Sequence, residues 1–474
     1  MDQVDLAFTP AWRQRELIGS RQVSPVELTE LYLRRIENLD HRLNAYLTVC
    51  GDEALAAARE AEAAVVRGEE LPPLHGVPIS IKDLELTKGV RTTLGSLIFK
   101  DRVPDRDSVV VERVRRAGAI ILGKTNTPEF GLYARTENRL GEPCRNPWNT
   151  ERTTGGSSGG AGAALAAGLC PLAIGSDGGG SIRIPSAFCG VFGIKPSQGR
   201  VPRAGGYGGP EPNQFAQSGP MANTVRDAAL LLRVLSGPDP RDPIPFMRVE
   251  PPDFVAALEG GIKGLRIGWS PDLGYGAVDP EVERIATGAA RSFEALGCTV
   301  EEADITLGDH HWEHFWNIFT ANDYAAYGDL LEGRADELTD YARDALEQGR
   351  SVTGAQYARS VRDVFELRLQ FDQVMERYDL LLTPTASVPA FPPKSPPATI
   401  AGRKVHPFWG FFPYTFPVNM VGQPAASVPC GFSSQGLPLG LHIVGRRGDD
   451  ALVLRAAAAF EEARPWAGKR PPVS

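Results

Sequence analysis

The sequence has little of what marks membrane, secreted or nucleic-acid-binding proteins. Its 474 residues contain no run of roughly 18 uncharged apolar residues, the length that a membrane-spanning helix needs. The nearest, residues 161–175, is short and interrupted by Pro171. The formal net charge is −8, whereas nucleic-acid binding requires a basic face. Acidic residues in the first segment and the lack of an apolar core argue against a secretory signal. We therefore expect a cytoplasmic protein that binds neither membranes nor nucleic acid.

Cysteine and histidine are both scarce. The six cysteines lie far apart with no CxxC pair, which predicts reduced, mostly buried thiols. Of seven histidines, only His310, His311 and His314 are close in sequence. Histidines three or four residues apart on a helix can bind zinc, but the sequence shows no pattern for a further ligand. We expect a surface or pocket-lining helix here, with no metal and no cofactor.

Two familiar nucleotide-binding motifs are also absent. The glycine-rich segment GGSSGGAG (residues 155–162) matches neither GxGxxG nor the phosphate-binding pattern GxxxxGK[ST], so a nucleotide site is not expected. The G-x-S-x-G spacing of α/β-hydrolases occurs around Ser157 and Ser158 in this segment, but it does not surround Ser181.

Short apolar β-prone runs alternate with helical segments along most of the chain, which predicts an α/β fold with a largely covered sheet. Strands are expected at 77–82, 119–123, 172–175, 265–269, 298–303, 380–383 and 439–444, with helices at 24–38, 53–67, 108–117, 158–168, 224–235, 280–296 and 450–463. The first of these helices is predicted to begin with a capping box formed by Ser24 and Glu27. Residues 306–377 are helical throughout and rich in acidic and aromatic residues, which indicates an inserted helical region. We expect one large domain over residues 1–474.

Lys82 ends the apolar run of residues 77–82. Burying an ammonium group is costly unless it is paired or loses its proton. Lys82 could extend past the strand end into solvent or pair with Asp83. Alternatively, burial could lower its pKa so that it acts as a base.

Two glycine-rich segments carry serines. In the first, Ser157 or Ser158 could simply cap the following helix. In the second, GSDGGGSIRIPS (residues 175–186), Ser181 follows three glycines whose N–H groups can converge on one point. By itself, that run predicts a loop. Taken with Lys82, a bridging serine, a nucleophilic serine and converging N–H groups form a set suited to acyl transfer.

The residues resemble the amidase signature family. The similarity is dense from about 74 to 203, where it includes three ordered motifs: Gly76-Val-Pro-x-x-x-Lys82-Asp83, Gly155-Gly-Ser157-Ser-Gly-Gly160 and Asp177-x-Gly-Gly-Ser181-Ile-Arg183-x-Pro185. It returns weakly near the C-terminus, in Gly436-Leu-Pro-Leu-Gly-Leu-His-Ile-Val-Gly445. The resemblance implies an amidase-signature fold, a central mixed sheet covered by helices on both faces. It also implies that residues 306–430 form the variable helical and loop region that shapes the substrate pocket.

The resemblance further implies roles for individual residues. Ser181 would be the nucleophile, Ser157, after a cis peptide bond, the proton relay, and neutral Lys82 the base. The N–H groups of Gly178, Gly179, Gly180 and Ser181 would bind the oxyanion. Ser158 and Asp177 would orient the relay and the loop, and Arg183 would brace the loop. Position 178 is often larger in the family, so Gly178 is a departure that could loosen the loop.

Aromatic residues are dense in the variable region, which favours a hydrophobic or aryl substrate. Each could instead pack the helical region. The residues expected to line the pocket are Gly131, Trp316, Trp409, Phe412 and Tyr414.

The resemblance leaves three functions to weigh. We favour a stand-alone hydrolase of amides, with esters and carbamates (urethanes) as further substrates and water as the acyl acceptor, acting as a monomer or homodimer. The alternative is the glutamine-hydrolysing amidotransferase A subunit, which depends on partner subunits. A non-enzymatic binding protein on the same fold is disfavoured because all three triad positions are filled.

Overall fold

The computed structural model describes residues 2–204, 214–242 and 250–474. Eleven strands within these ranges form one sheet, in the order β1-β3-β2-β6-β8-β7-β14-β15-β11-β9-β10. Their bounds are β1 Tyr46–Val49, β2 Pro78–Lys82, β3 Ile120–Thr125, β6 Leu172–Asp177, β7 Phe192–Lys195, β8 Gln217–Ala222, β9 Arg266–Trp269, β10 Thr299–Glu302, β11 Leu380–Pro384, β14 Ala425–Phe432 and β15 Pro438–Gly445. Two small hairpins pair β4 (Arg145–Asn146) with β5 (Asn149–Thr153), and β12 (Thr399–Ile400) with β13 (Arg403–Lys404).

Fourteen α-helices occur in the described ranges. They are α1 Gln3–Ala7, α2 Ala11–Gly19, α3 Pro25–Leu43, α4 Gly51–Arg67, α5 Val109–Arg116, α6 Gly159–Ala166, α7 Arg183–Cys189, α8 Val225–Leu235, α9 Pro280–Ala295, α10 His310–Tyr327, α11 Asp340–Ser351, α12 Gly354–Arg377, α13 Thr415–Val421 and α14 Asp450–Ala463. Helix α3 begins with the predicted capping box, in which the Ser24 side chain and Glu27 satisfy each other's backbone N–H groups.

The sheet is mixed. Strands β2, β3 and β6 run parallel to one another, as do β9, β10 and β11, whereas β8, β7, β14 and β15 pair antiparallel. Every residue of β2, β3 and β6 is buried. A strand buried along its whole length needs cover on both faces, which the helices provide.

The α/β alternation predicted from the sequence is confirmed, and all the predicted strands and helices are present. Four sheet strands were not predicted, namely β1, β7, β8 and β14. Their sequences are short or rich in small residues and proline, so the apolar runs that identify the other strands are missing. In β14, Pro429 lies where the register with β15 shifts, a position at which a strand tolerates proline.

Helices α10, α11 and α12 form the predicted helical region, in which α10 packs against both α11 and α12. The apolar side chains of α10 and α12 join a second hydrophobic cluster with α13 and residues 386–412, separate from the main core. Those of α11 belong to a third cluster, which includes Leu84 and Phe130. In the described ranges, none of the helices is both long and apolar enough to cross a membrane.

Candidate active site

Two neighbouring parallel strands bring the first site residues together. Lys82 is the last residue of β2 and Asp177 the last of β6, and the pairing of Ile81 with Ile174 sets the two strands in register. Because carboxyl ends of parallel strands meet at one edge of a sheet, Lys82 and residues 176–181 share that edge.

Lys82 is fully buried among serine oxygens. Its Nζ lies 2.7 Å from Ser157 Oγ, 2.9 Å from Ser158 Oγ and 3.0 Å from Ser176 Oγ. The Ser176 carbonyl lies 3.3 Å away. Lys82 therefore neither extends into solvent nor pairs with Asp83, whose carboxylate accepts from the N–H of Thr93 and lies near Lys124.

The surroundings of Lys82 favour its neutral form. Burial lowers the pKa of its ammonium to about 7, although the charges of Asp177 and Glu85 act in the opposite direction. None of the four groups that bind Nζ is a carboxylate. At neutral pH a substantial fraction of Lys82 therefore carries a lone pair that can accept a proton.

A backbone hydrogen bond holds the segment with Ser157 and Ser158 beside Ser181. The peptide bond between Gly156 and Ser157 is cis, as expected. The N–H of Ser158 donates to the carbonyl of Ser181 at 3.0 Å, which holds the two serine segments side by side. The Ser158 hydroxyl also donates to the Ser176 carbonyl at 3.1 Å.

The loop before Ser181 is organised by Asp177. Its carboxylate accepts hydrogen bonds from the N–H groups of Gly180 (2.7 Å) and Ile182 (3.1 Å). The Thr415 hydroxyl donates to the Gly179 carbonyl at 2.7 Å. Gly180 has φ of 134°, and a Cβ there would collide with the Thr415 side chain, so only glycine fits.

One predicted oxyanion donor is corrected by this geometry. The Gly180 N–H already donates to the Asp177 carboxylate, so it is not free to bind the oxyanion. Gly180 instead shapes the loop. The N–H groups of Gly178, Gly179 and Ser181 remain as the predicted oxyanion donors.

Arg183 stabilises the loop by donating hydrogen bonds to Asp177. It is fully buried, and its Nε and Nη2 each donate to Asp177 at 2.9 Å. Burial by itself would raise the pKa of Asp177, but the charge of Arg183 and the hydrogen bonds to Arg183 and Asn419 hold it well below its usual range. The ion pair with Arg183 therefore favours the ionised form of Asp177.

Three contributors to the site were not predicted. Ser176 adds a third hydroxyl to Lys82. Asn419 donates to the Asp177 carbonyl at 2.9 Å and accepts from Arg183. His442 Nε2 lies 2.9 Å from Arg183 Nη1, and burial followed by the Arg183 charge lowers the pKa of its imidazole well below the ordinary value. Ser176 could have been found from its place beside Asp177 at a strand end, whereas Asn419 and His442 lie more than 230 residues from that motif.

Ser181 opens into a narrow cavity of about 40 Å³. Its lining is aromatic and aliphatic apart from Ser181 itself: Gly131, Leu132, Tyr133, Ala134, Gly179, Ile184, Trp312, Phe315, Trp316, Phe319, Phe408 and Phe412. The expectation for Gly131, Trp316 and Phe412 agrees with this placement. No charged side chain is among the lining residues.

The other two predicted pocket residues lie elsewhere. Tyr414 is fully buried and its hydroxyl donates to the Pro271 carbonyl at 2.8 Å, so it packs in the core. Trp409 stacks on Trp312 with ring centroids 5.4 Å apart and supports a lining residue without lining the cavity itself. The sequence could not separate these residues because they lie in irregular turns before α13, where no helical or strand period indicates which side chains face the cavity.

A wider groove of about 1310 Å³ adjoins this cavity and shares Tyr133, Trp316 and Phe408 with it. Its wall includes both acidic and basic residues, among them Glu137, Arg139 and Asp344. The site thus combines a narrow apolar cavity at Ser181 with a broad polar approach.

The chain is similar to known proteins over nearly its full length. The family model described as Amidase matches residues 27–454. An acylamidase from Rhodococcus erythropolis is 40% identical over 477 residues, which cover 99% of this chain and 98% of that protein. The A subunit of glutamyl-tRNA(Gln) amidotransferase from Moorella thermoacetica is 37% identical over 495 residues, which cover 99% of each protein. The crystal structure of a bacterial aryl acylamidase of the amidase signature enzymes matches with a TM-score of 0.92 at 34% identity, covering 97% of both chains.

Proposed function

Because this chain belongs to the Amidase family, whose model matches it over residues 27–454, we propose that it is a stand-alone serine hydrolase of C–N bonds in hydrophobic or aryl amides. Its mixed sheet and surrounding helices form the α/β fold of the amidase signature enzymes. The observation that carries the proposed substrate class is the uncharged, aromatic cavity at Ser181.

In the proposed reaction, Ser181 Oγ attacks the carbonyl carbon of the amide. The Ser181 proton passes to Ser157 Oγ, and Ser157 gives its own proton to the neutral amine of Lys82, 2.7 Å away. The pKa of about 7 allows Lys82 to accept that proton at neutral pH and to return it.

The tetrahedral intermediate places a negative charge on the former carbonyl oxygen. We assign its stabilisation to the N–H groups of Gly178, Gly179 and Ser181, in a loop held by Asp177, Arg183 and Thr415. Collapse breaks the C–N bond, and the amine leaves with the proton returned through Ser157. Water then attacks the acyl-enzyme by the same relay and releases the acid. These steps require no metal or organic cofactor.

The cavity favours an apolar group next to the scissile bond. Phe315, Trp316 and Phe412 offer ring faces and edges to such a group. Esters and carbamates present the same carbonyl to Ser181, so hydrolysis of both is part of the proposal.

The alternative is the glutamine-hydrolysing amidotransferase A subunit, which is favoured by the 37% identity to the Moorella protein. Glutamine carries an ammonium and a carboxylate, which need charged or polar partners when they are removed from water. The lining of the Ser181 cavity offers no charged side chain, so we rank this function second.

The six cysteines are free and buried, as the sequence predicted, which is consistent with the reducing cytoplasm that we propose for this protein. We expect a monomer or homodimer that needs only substrate and water.

A substrate panel on the purified chain alone tests the proposal. It compares aliphatic amides, aryl amides such as p-nitroacetanilide, glutamine, esters and carbamates by initial rates. The expected result is the highest kcat/KM on aryl or hydrophobic amides. Glutaminase activity that appears only when amidotransferase partner subunits are added, without aryl amide turnover, would establish the alternative.

A further inference from the structure

The first two turns of α10 carry His310, His311 and His314, and Asp363 of α12 lies among them. His311 Nδ1 is 2.9 Å from Asp363 Oδ2, and His310 Nε2 is 3.8 Å from Asp363 Oδ1. Ligand atoms of His310, His311 and Asp363 all lie within 4.8 Å of one another. His314 Nε2 is 4.0 Å from Asp363 Oδ1. Asp363 is the further ligand for which the sequence shows no pattern, because it is 49 residues from His314 along the chain.

Asp363 has an unusual set of partners for a buried carboxylate. Its side chain is only 7% exposed, and its ion-pair partners within the described ranges are these three imidazoles. A buried carboxylate requires a compensating positive charge or several hydrogen bonds. A bound cation shared with neutral imidazoles would supply that charge.

The cluster is also oriented by a neighbouring hydroxyl. His314 Nδ1 lies 3.1 Å from Ser360 Oγ, one turn before Asp363 on α12. A hydrogen bond at one ring nitrogen selects the tautomer and presents the other nitrogen to a metal, which is how metal-binding histidines are usually held. Here the nitrogen presented is Nε2, the one facing Asp363.

We propose that His310, His311, His314 and Asp363 bind one zinc ion. Imidazole and carboxylate are zinc ligands, and four protein ligands without an open position are typical of structural sites. Ligand atoms of a tetrahedral zinc site lie roughly 3.3 Å apart, given bonds of about 2 Å. In the structure, ligand atoms of His310, His311 and Asp363 lie within 4.8 Å of one another, and His314 Nε2 lies 4.0 Å from Asp363 Oδ1, so the four side chains must draw together when zinc binds. The His311 proton moves from Nδ1 to Nε2 so that Nδ1 can bind the ion.

The site would join α10 to α12. Helix α10 also carries Trp312, Phe315, Trp316 and Phe319, which line the cavity at Ser181. Zinc would therefore hold one wall of that cavity in place without touching the reacting atoms. This inference does not depend on the identity of the amide substrate.

Zinc binding to the full chain without a histidine tag tests the inference. Isothermal titration with ZnCl₂ measures stoichiometry and affinity, and the absorption spectrum of the Co²⁺-loaded protein reports the coordination geometry. His310→Ala is the main variant, because His310 is 59% exposed and its loss leaves the fold intact. Asp363→Asn is the second variant. His41→Ala is the matched control, because His41 is an exposed histidine on α3, remote in sequence from the cluster.

We expect one equivalent of zinc, a tetrahedral cobalt spectrum and a rise in Tm on adding ZnCl₂. His310→Ala should weaken binding at least ~10-fold and remove the Tm shift, whereas His41→Ala should change neither. Equal affinity of the wild type and His310→Ala, or an octahedral cobalt spectrum, would overturn the proposal. So would an equal loss of affinity in His41→Ala.

Discussion

Lys82 Nζ and Ser157 Oγ lie 2.7 Å apart, although 75 residues separate them along the chain. Both side chains are buried, Lys82 at the end of β2 and Ser157 just before α6. The contact joins an amine with a pKa of about 7 to a hydroxyl in the segment that also adjoins Ser181.

Removal of the proposed nucleophile should abolish turnover. Ser181→Ala is expected to lower kcat for p-nitroacetanilide by at least ~10³-fold, because no other group can form the acyl-enzyme. Ser351→Ala, an exposed serine at the end of α11, serves as the control and should keep wild-type kcat. Substantial turnover by Ser181→Ala would refute the assigned role.

The pH profile should report the proton affinity of Lys82. As a base it must be neutral, so kcat/KM should fall about tenfold per pH unit below its pKa of about 7 and level off above it. Lys82→Arg keeps a positive charge that cannot be lost, and should cost about 10²–10⁴-fold at every pH. A wild-type profile that is flat between about pH 5 and 9 would contradict Lys82 as the base.

The Asp177–Arg183 ion pair should be essential to stability. Asp177→Asn leaves the Arg183 charge buried without its carboxylate and should lower the free energy of unfolding by about 3–5 kcal/mol. Urea denaturation measures this change. The exposed pair Asp340–Arg343 is the matched control, and Asp340→Asn should leave the unfolding free energy nearly unchanged. Similar stability of both variants would show that the buried pair is dispensable.

Gly131 should tolerate no side chain. Its φ is 74°, and a Cβ would lie 2.9 Å from Leu84 Cδ1 and 3.4 Å from Ser157 Oγ. Gly131→Ala should therefore displace the relay and lower kcat by about 10–100-fold. Gly141→Ala, where a Cβ meets open space, provides the comparison in the adjoining groove and should retain wild-type kcat.

The placement of the aromatic residues distinguishes Trp316 from Tyr414. Trp316→Leu removes a ring from the cavity and should raise KM for p-nitroacetanilide about 3–10-fold. Tyr414→Phe removes the hydrogen bond to Pro271, so it should lower the unfolding free energy by about 1 kcal/mol without changing KM. A KM change in Tyr414→Phe matching that of Trp316→Leu would place Tyr414 in the cavity after all.

The elements best predicted from sequence are those with a local signal. The capping box at Ser24 and the apolar run ending at Lys82 each depend on neighbours a few residues away, and both lie as expected. Strand β8 was missed because its sequence, QSGPMA, has no such run; its position is decided by pairing with β6 and β7.

Within the candidate site too, residues with a local sequence signal were predicted and residues placed by long-range contacts were not. The motifs around Lys82, Ser157 and Ser181 are short, and their grouping was predicted from the residues together with the family resemblance. Asn419 and Asp363 lie outside the motifs of the resemblance, and His442 lies in its weak C-terminal segment with no local sign of a role. Each of the three acts only through residues brought to it by the fold.

The sequence by itself determined the α/β alternation, the helical region after residue 306 and the three segments that carry Lys82, Ser157 and Ser181. Local backbone preferences and short motifs are enough for these. Only the tertiary structure decided that Gly180 donates to Asp177, that Tyr414 faces the core, and that Asp363 lies among three histidines. Each of these depends on contacts between distant segments, where packing and the pairing of buried polar groups determine which way a side chain or an N–H group points.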